Sequence, residues 1–96
     1  MMPPVTVVVP RMLAVLARDE RRIDVEADTV RNALEALFTR HPELRVHVFA
    51  EDGEMREHVR CFHNDRPVES PADWERVPAA GDTVTILQAV SGGTGR

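Results

Sequence analysis

Two places in this 96-residue chain carry residue types and spacings that could take part in chemistry. His58, Cys61 and His63 bring imidazole and sulfur donors close together, and Gly92-Gly93 leaves two positions without side chains near the C-terminus. A structural zinc site needs four ligands, usually as two close pairs, and the chain has no second pair. On a strand, Cys61 and His63 share one face while His58 points the other way. We predict that no metal site exists here and that Cys61 is buried and inert.

Gly92 and Gly93 point to a different chemistry, because glycine lacks Cβ and its backbone can pass through a narrow channel. A glycine pair is also common at an unstructured chain end, so the pair alone decides nothing. No phosphate-binding glycine loop, Ser/His/Asp set or carboxylate pair in a predicted cleft is present. We therefore predict a protein that is not an enzyme, has no catalytic residues and holds no cofactor.

Composition limits the class of protein. Hydrophobic residues make up 43% and charged residues 29% of the chain, as in an ordinary single globular domain. The net charge of −4 argues against nucleic acid as a partner and weakly favours a basic protein partner. The longest apolar run, residues 7–9, is too short to span a membrane, and no export signal is visible. A single cysteine fits a reducing cytoplasm.

The positioning elements follow from hydrophobic periodicity. Strands are predicted at residues 5–9 and 22–26, and the short connection between them could bury Met12, Leu13, Val15 and Leu16. A helix begins at an N-cap supplied by Asp28 or Thr29 and ends before Pro42. Its buried face is predicted to hold Val30, Ala33, Leu34, Leu37 and Phe38. Further strands are predicted at residues 44–49, 55–63 and 83–87, with Trp74 covering one edge of the core.

This order, β-β-α-β-β-β, predicts an α+β fold in which a mixed sheet packs on one main helix. The first and last strands are expected to lie parallel at the centre of the sheet, which is the ubiquitin-like β-grasp arrangement. We divide the chain into a domain over residues 1–90 and a flexible tail over residues 91–96 that contains the glycine pair.

The segment from Val84 to Gly93, V-T-I-L-Q-A-V-S-G-G, resembles the C-terminus of the ubiquitin-like sulfur carriers. These are the thiamine sulfur carrier, the small subunit of molybdopterin synthase and, most like this chain, the actinobacterial carrier for cysteine synthesis. The Gly81-Asp82 turn before the strand and the opening of the helix at Asp28 are similar to the same family. The resemblance covers nearly the whole chain.

The resemblance implies a reaction and its partners. An ATP-dependent enzyme of the ubiquitin-activating type would adenylate the carboxylate of Gly93, and sulfur would displace AMP to leave a thiocarboxylate. A sulfur-accepting synthase would then use that sulfur, for thiamine, molybdopterin, cysteine or a related product. Val90, Ser91 and Gly92 would thread the tail into the activating enzyme.

One departure from the family is the extension Thr94-Gly95-Arg96, which holds the carboxyl group of Gly93 in a peptide bond. The resemblance implies that a deubiquitinase-like metalloprotease removes these three residues. Alternatively, the three residues are foreign to the protein, or this homologue has lost the chemistry.

Leu87 and Phe62 are the candidate docking residues. If Val84 and Ile86 point into the core, Leu87 faces outward beside the tail, and Phe62 could share that face, although Phe62 could equally belong to the core. Two other functions remain open from sequence. The protein could be a modifier joined to target lysines through Gly93, or an adaptor that binds partners without using its tail.

Overall fold

A computed structural model describes residues 2–88, and its centre is a five-stranded sheet in the order β2-β1-β5-β3-β4. The strands are β1 (Pro4–Val8), β2 (Arg22–Glu26), β3 (Val59–His63), β4 (Arg66–Pro67) and β5 (Thr83–Gln88). Only the pair β1 and β5 is parallel, and the other neighbours are antiparallel. The predicted mixed sheet with parallel first and last strands is therefore confirmed.

Four helices lie between the strands: α1 (Arg11–Ala14), α2 (Val30–Arg40), α3 (Arg45–Val48) and α4 (Pro71–Trp74). Single 3-10 turns extend α1 over Val15–Ala17 and precede α3 over Pro42–Leu44. Within residues 2–88, none of the helices combines the length and the apolar character that a membrane crossing requires.

Helix α2 is the main helix and covers one face of the sheet. The side-chain oxygen of Thr29 accepts a hydrogen bond of 3.0 Å from the backbone N–H of Asn32, so Thr29 is the N-cap. Asp28 instead accepts a hydrogen bond from the side chain of Asn32, at 2.7 Å. The predicted helical face is buried against the sheet: Val30, Ala33, Leu34, Leu37 and Phe38.

The core forms between α2 and the inner face of the sheet. Alternate residues of β1, β2, β3 and β5 point inward and are buried, among them Val5 and Val7 of β1, Ile23 of β2 and Val84 of β5. This alternation is the pattern expected of strands with one covered face. Trp74 packs partly buried against the core and tilts toward Phe49, at 6.0 Å between ring centroids, as predicted for a cover at its edge.

The prediction of a strand over residues 44–49 is wrong. The structure forms a 3-10 turn and helix α3 there, with Leu44 and Val48 buried and Val46 exposed. Leu44, Val46 and Val48 alternate in sequence, yet the two buried residues are also four apart, which suits one face of a helix. Pro42 at the start of the turn is compatible with helical geometry and not with a central strand.

The long strand predicted over residues 55–63 is shorter in the structure. Only β3, from Val59, joins the sheet, while Met55 forms an isolated bridge with Phe49. The short strand β4, which follows the turn at Asn64, was not predicted. The number of strands is therefore five, as predicted, but β4 belongs to the sheet and residues 44–49 do not.

Candidate functional site

Strand β5 is the element that delivers the chain to its C-terminal residues, and it lies between β1 and β3 at the centre of the sheet. Val84 and Ile86 point inward and are completely buried. Hydrogen-bonded neighbours on both sides and two buried side chains anchor this strand against local unfolding. β1 borders only the first three residues of β5, whereas β3 borders the strand as far as Gln88, so the last described residue is still paired within the sheet. Val90, Ser91, Gly92 and Gly93 lie outside the described residues 2–88, so their roles remain predictions.

The outer face of the sheet, opposite α2, carries both candidate docking residues. Leu87 pairs with Arg60 across β5 and β3, and Phe62 pairs with Thr85. Because directly paired residues lie on the same face, all four share the outer face. Leu87 is 48% exposed and Phe62 is partly buried. The structure thus brings Leu87 and Phe62 to one face, and their docking role stays a prediction.

A polar network fixes the start of β5, at the end of the strand opposite Gln88. The Oδ2 atom of Asp82 lies 2.8 Å from Nε2 of His63 and accepts a hydrogen bond from the backbone N–H of Ala79 at 2.9 Å. The backbone N–H of Thr83 donates to Oδ1 of Asn64 at 2.9 Å, and the N–H of Asn64 donates to the carbonyl of Thr83 at 2.7 Å. These bonds join β3 to β5 at one point.

The same network changes the acidity of Asp82. The hydrogen bond from Ala79, and then the one from His63, hold the pKa of the Asp82 carboxyl below its ordinary value. The sequence does not reveal this pair, because His63 and Asp82 are 19 positions apart. The only local signal was the Gly81-Asp82 turn. Gly81 has φ of +88°, which favours glycine, and its N–H donates to the carbonyl of Pro4.

Cys61 occupies the inner face of β3 and is 2% exposed. Burial raises the pKa of its thiol to about 12, and the charge of Arg76 only partly opposes that rise. His63 shares the inner face, whereas His58 is exposed. Among residues 2–88, no group of three histidine, cysteine or acidic side chains is arranged to hold a metal ion. The predicted burial of Cys61 is confirmed, and its thiol is held in the unreactive neutral form.

The connection between β1 and β2 differs from its predicted packing. Leu13 is buried together with Ala14 and Ala17, whereas Met12 and Val15 are exposed and Leu16 is partly so. The buried set has the i, i+1, i+4 spacing of a helical face, a signal that was present in the sequence. Apolar residues expected in the core therefore reach the surface at the end of β1.

Comparisons of sequence and of structure with known proteins point to the same group of small proteins. Residues 8–93 of the chain match the ThiS family. The chain is 42% identical, over 73 residues, to small archaeal modifier protein 1 of Haloferax volcanii, an alignment covering 75% of this chain and 79% of the relative. The crystal structure of that archaeal protein superposes with a TM-score of 0.79 at 32% identity, covering 94% of this chain and 99% of the other.

A second solved structure is the BexX/CysO complex of Amycolatopsis orientalis, in which the matched chain has a TM-score of 0.80 at 28% identity. That match covers 93% of this chain and 99% of the other. These relatives are small ubiquitin-like carrier or modifier proteins and not enzymes, in agreement with the prediction from sequence.

Proposed function

Because the chain belongs to the ThiS family, we propose that it is a sulfur carrier whose working end is the carboxylate of Gly93. The observation that carries this proposal is the extent of the family match, which runs through Gly92-Gly93 and stops before Thr94. The residues that the family shares with this chain thus end at the glycine pair.

The proposed cycle begins with hydrolysis of the Gly93–Thr94 peptide bond, which releases Thr94-Gly95-Arg96 and frees the carboxylate. A metalloprotease of the deubiquitinase type would supply this step. An oxygen of the carboxylate then attacks the α-phosphorus of ATP in an activating enzyme, and pyrophosphate leaves. Hydrosulfide attacks the resulting acyl-adenylate at carbon, AMP departs and a proton is released, leaving a thiocarboxylate. Its sulfur passes to a synthase that builds a sulfur-containing product.

The fold suits a protein that acts as a co-substrate. The activating enzyme needs a long, narrow segment to reach ATP, and Val90, Ser91 and Gly92 would provide it beyond β5. The central position of β5 would keep the globular part in a fixed orientation while the tail enters the channel. Leu87 and Phe62, on the outer face, would supply apolar contact next to the tail. The consumption of ATP and the free, buried Cys61 support a cytoplasmic location for this cycle.

A second candidate function is conjugation to target proteins, since one relative is named a modifier protein. In that case a lysine amine in place of hydrosulfide would attack the activated carbonyl of Gly93, forming an isopeptide bond. Both functions need the same adenylation step. The BexX/CysO complex supports the expectation of a protein partner, but it does not distinguish the two outcomes.

The deciding experiment uses protein that ends at Gly93, incubated with an activating enzyme from the same cell, ATP and sulfide. We expect the intact mass to rise by the difference between one sulfur and one oxygen atom. Protein ending at Arg96 is the control and should remain unchanged. If the shorter protein also fails to change, sulfur carriage is excluded. The modifier function would be established by higher-mass conjugates in cell extracts in which Gly93 is joined to a lysine of another protein. Partner binding that persists without residues 92–96 would favour the adaptor.

A further inference from the structure

Three exposed apolar side chains lie together on α1 and the turn that follows it. Met12 and Val15 are each 66% exposed and Leu16 is 36% exposed. The buried residues Leu13 and Ala17 hold this segment against the core, so the exposed residues are carried on a fixed support. Exposed apolar groups that cluster on a fixed support are typical of a contact surface.

The topology places this segment at the end of the molecule from which the C-terminal residues leave. Strands β1 and β5 are parallel, with Val8 level with Thr85. The segment follows the last residues of β1, and β5 ends on the same side of the sheet at Gln88. Leu87, which is also exposed, belongs to this end.

The charges at this end have the opposite sign to the net charge of the chain, which is −4. Arg11 and Arg18 flank the exposed apolar segment, and Arg22 pairs with Val8 at the start of β2. Arg60 pairs with Leu87. Arginines outnumber acidic residues at this end, where the basic residues are Arg11, Arg18, Arg21, Arg22, Arg40 and Arg60, and the acidic residues are Asp19, Glu20, Glu43 and Glu57.

The acidic side chains collect at the other end and around the middle of the molecule. Glu26 and Asp28 lie between the end of β2 and the start of α2, and Asp65 lies in the turn after β3. Glu69, Asp73 and Glu75 lie in and around α4, where Asp73 pairs with Arg76 and Glu75 pairs with Arg31. Even with these arginines and Arg66 counted, acidic residues outnumber basic ones at this end. Because salt screens charges beyond roughly 10 Å, a docking partner responds to the local sign and not to the net charge.

We propose that Arg11, Met12, Val15, Leu16 and Arg21 form an exit surface that docks on the activating enzyme. The matching region of that enzyme would be an apolar patch with an acidic rim, next to the mouth of its ATP channel. This inference rests on the proposed function and names the surface through which its first partner is recognised. It replaces the expectation, drawn from net charge alone, that the partner is basic. The acidic end then faces away from the enzyme, which orients the carrier as it approaches.

The charge contribution is tested by steady-state kinetics of adenylation, with protein ending at Gly93 and the activating enzyme of the same cell. Arg21→Glu should raise KM about fivefold and leave kcat unchanged, because loss of a rim charge mainly slows association. The control is Arg66→Glu, which makes the same charge change in β4 at the acidic end and should leave KM unchanged. Added NaCl should raise KM for the native protein more than for Arg21→Glu.

The apolar contribution is tested by Val15→Asp against Val77→Asp. Both side chains are largely exposed, at 66% and 74%, so neither change should affect folding, which circular dichroism checks. Val77 lies at the end of the molecule away from the exit surface. Its neighbour Arg76 accepts, at its carbonyl, a hydrogen bond from the backbone N–H of Val30 at the start of α2. We expect Val15→Asp to raise KM about tenfold, and Val77→Asp to have no effect.

Three results would overturn the inference. The first is an equal change in KM for the exit-surface variants and for their controls. The second is an unchanged KM in all four variants. The third is a native protein that is dimeric in solution and becomes monomeric on Val15→Asp, since a second copy would then cover the surface. A native protein that is never adenylated would overturn the proposed function as well, whereas unchanged KM values in the variants would overturn this inference alone.

Discussion

The imidazole of His63 lies 2.8 Å from the carboxylate of Asp82, and this contact joins the last residue of β3 to the residue that precedes β5. The backbone N–H of Thr6 donates to the carbonyl of Asp82 at 3.0 Å, so β1 meets the same point. Three strands are thus tied together at the end of β5 away from the tail. We infer that this contact sets the position from which β5 runs to Gln88.

Asp82→Asn should lower the free energy of unfolding by about 2 kcal/mol, because a charged acceptor shared by two donors is replaced by a neutral one. The measurement is urea denaturation at neutral pH, with Asp65→Asn in the neighbouring exposed turn as control. A loss of the same size in both variants would contradict a specific role for Asp82.

The pH dependence of stability should follow the same residue. The pKa of Asp82 is lower in the folded protein than in the unfolded chain, so its contribution is complete above the unfolded value, about 4. That contribution is lost as the pH falls through the folded value. The native protein should therefore lose more stability than Asp82→Asn on acidification below about pH 4. If the free energy of unfolding depends on pH in the same way in both proteins, the lowered pKa of Asp82 does not contribute to stability.

Ile86 and Leu87 are neighbours with opposite environments, and they separate folding from docking. Ile86 is fully buried, so Ile86→Ala should cost about 3 kcal/mol of stability. Leu87 is 48% exposed, and Leu87→Ala should cost less than about 1 kcal/mol while raising KM for adenylation. Denaturation curves and adenylation kinetics on both variants provide the check. If Leu87→Ala leaves KM unchanged, the outer face does not contact the activating enzyme.

Cys61 should resist thiol reagents in the folded protein. With its pKa raised to about 12, only about one thiol in ten thousand is ionised near pH 8. We expect slow reaction with Ellman's reagent in buffer and rapid reaction in urea. A matched control is Cys61→Ala combined with Arg60→Cys, which moves the thiol to the exposed face of the same strand and should react quickly. Rapid modification of native Cys61 would show that β3 opens readily.

Gly92→Val should reduce kcat/KM for adenylation by about 100-fold, since a branched side chain would obstruct threading and displace the reacting carboxylate. Ser91→Ala is the control, because position 91 carries a Cβ in both proteins. Both variants are made in protein that ends at Gly93, and pyrophosphate release is followed. Normal activity of Gly92→Val would mean that the glycine pair is not needed for passage through the channel.

Much of the fold could be predicted because several segments are constrained by their own residues. In β2, the charged and apolar residues alternate from Arg22 to Glu26, and the strand has those bounds. The N-cap Thr29 and the apolar face of α2 likewise predicted the helix. Residues 44–48 were different, because Leu44, Val46 and Val48 fit a strand and a short helix equally well. Only tertiary packing selects the helix: the preceding 3-10 turn packs on α2 and α3 packs on that turn, burying Leu44 and Val48.

The sequence by itself determined the β-grasp order of elements and identified Gly92-Gly93, because local propensity and a contiguous motif are properties of neighbouring residues. Contacts between distant residues were decided by the tertiary structure. The parallel pairing of β1 with β5 puts Met12 and Val15 at the same end as Gln88. The same folding gathers arginines there, although the chain as a whole is acidic. Net charge is a sum over residues, whereas a partner meets one surface, and only the folded chain defines which residues share it.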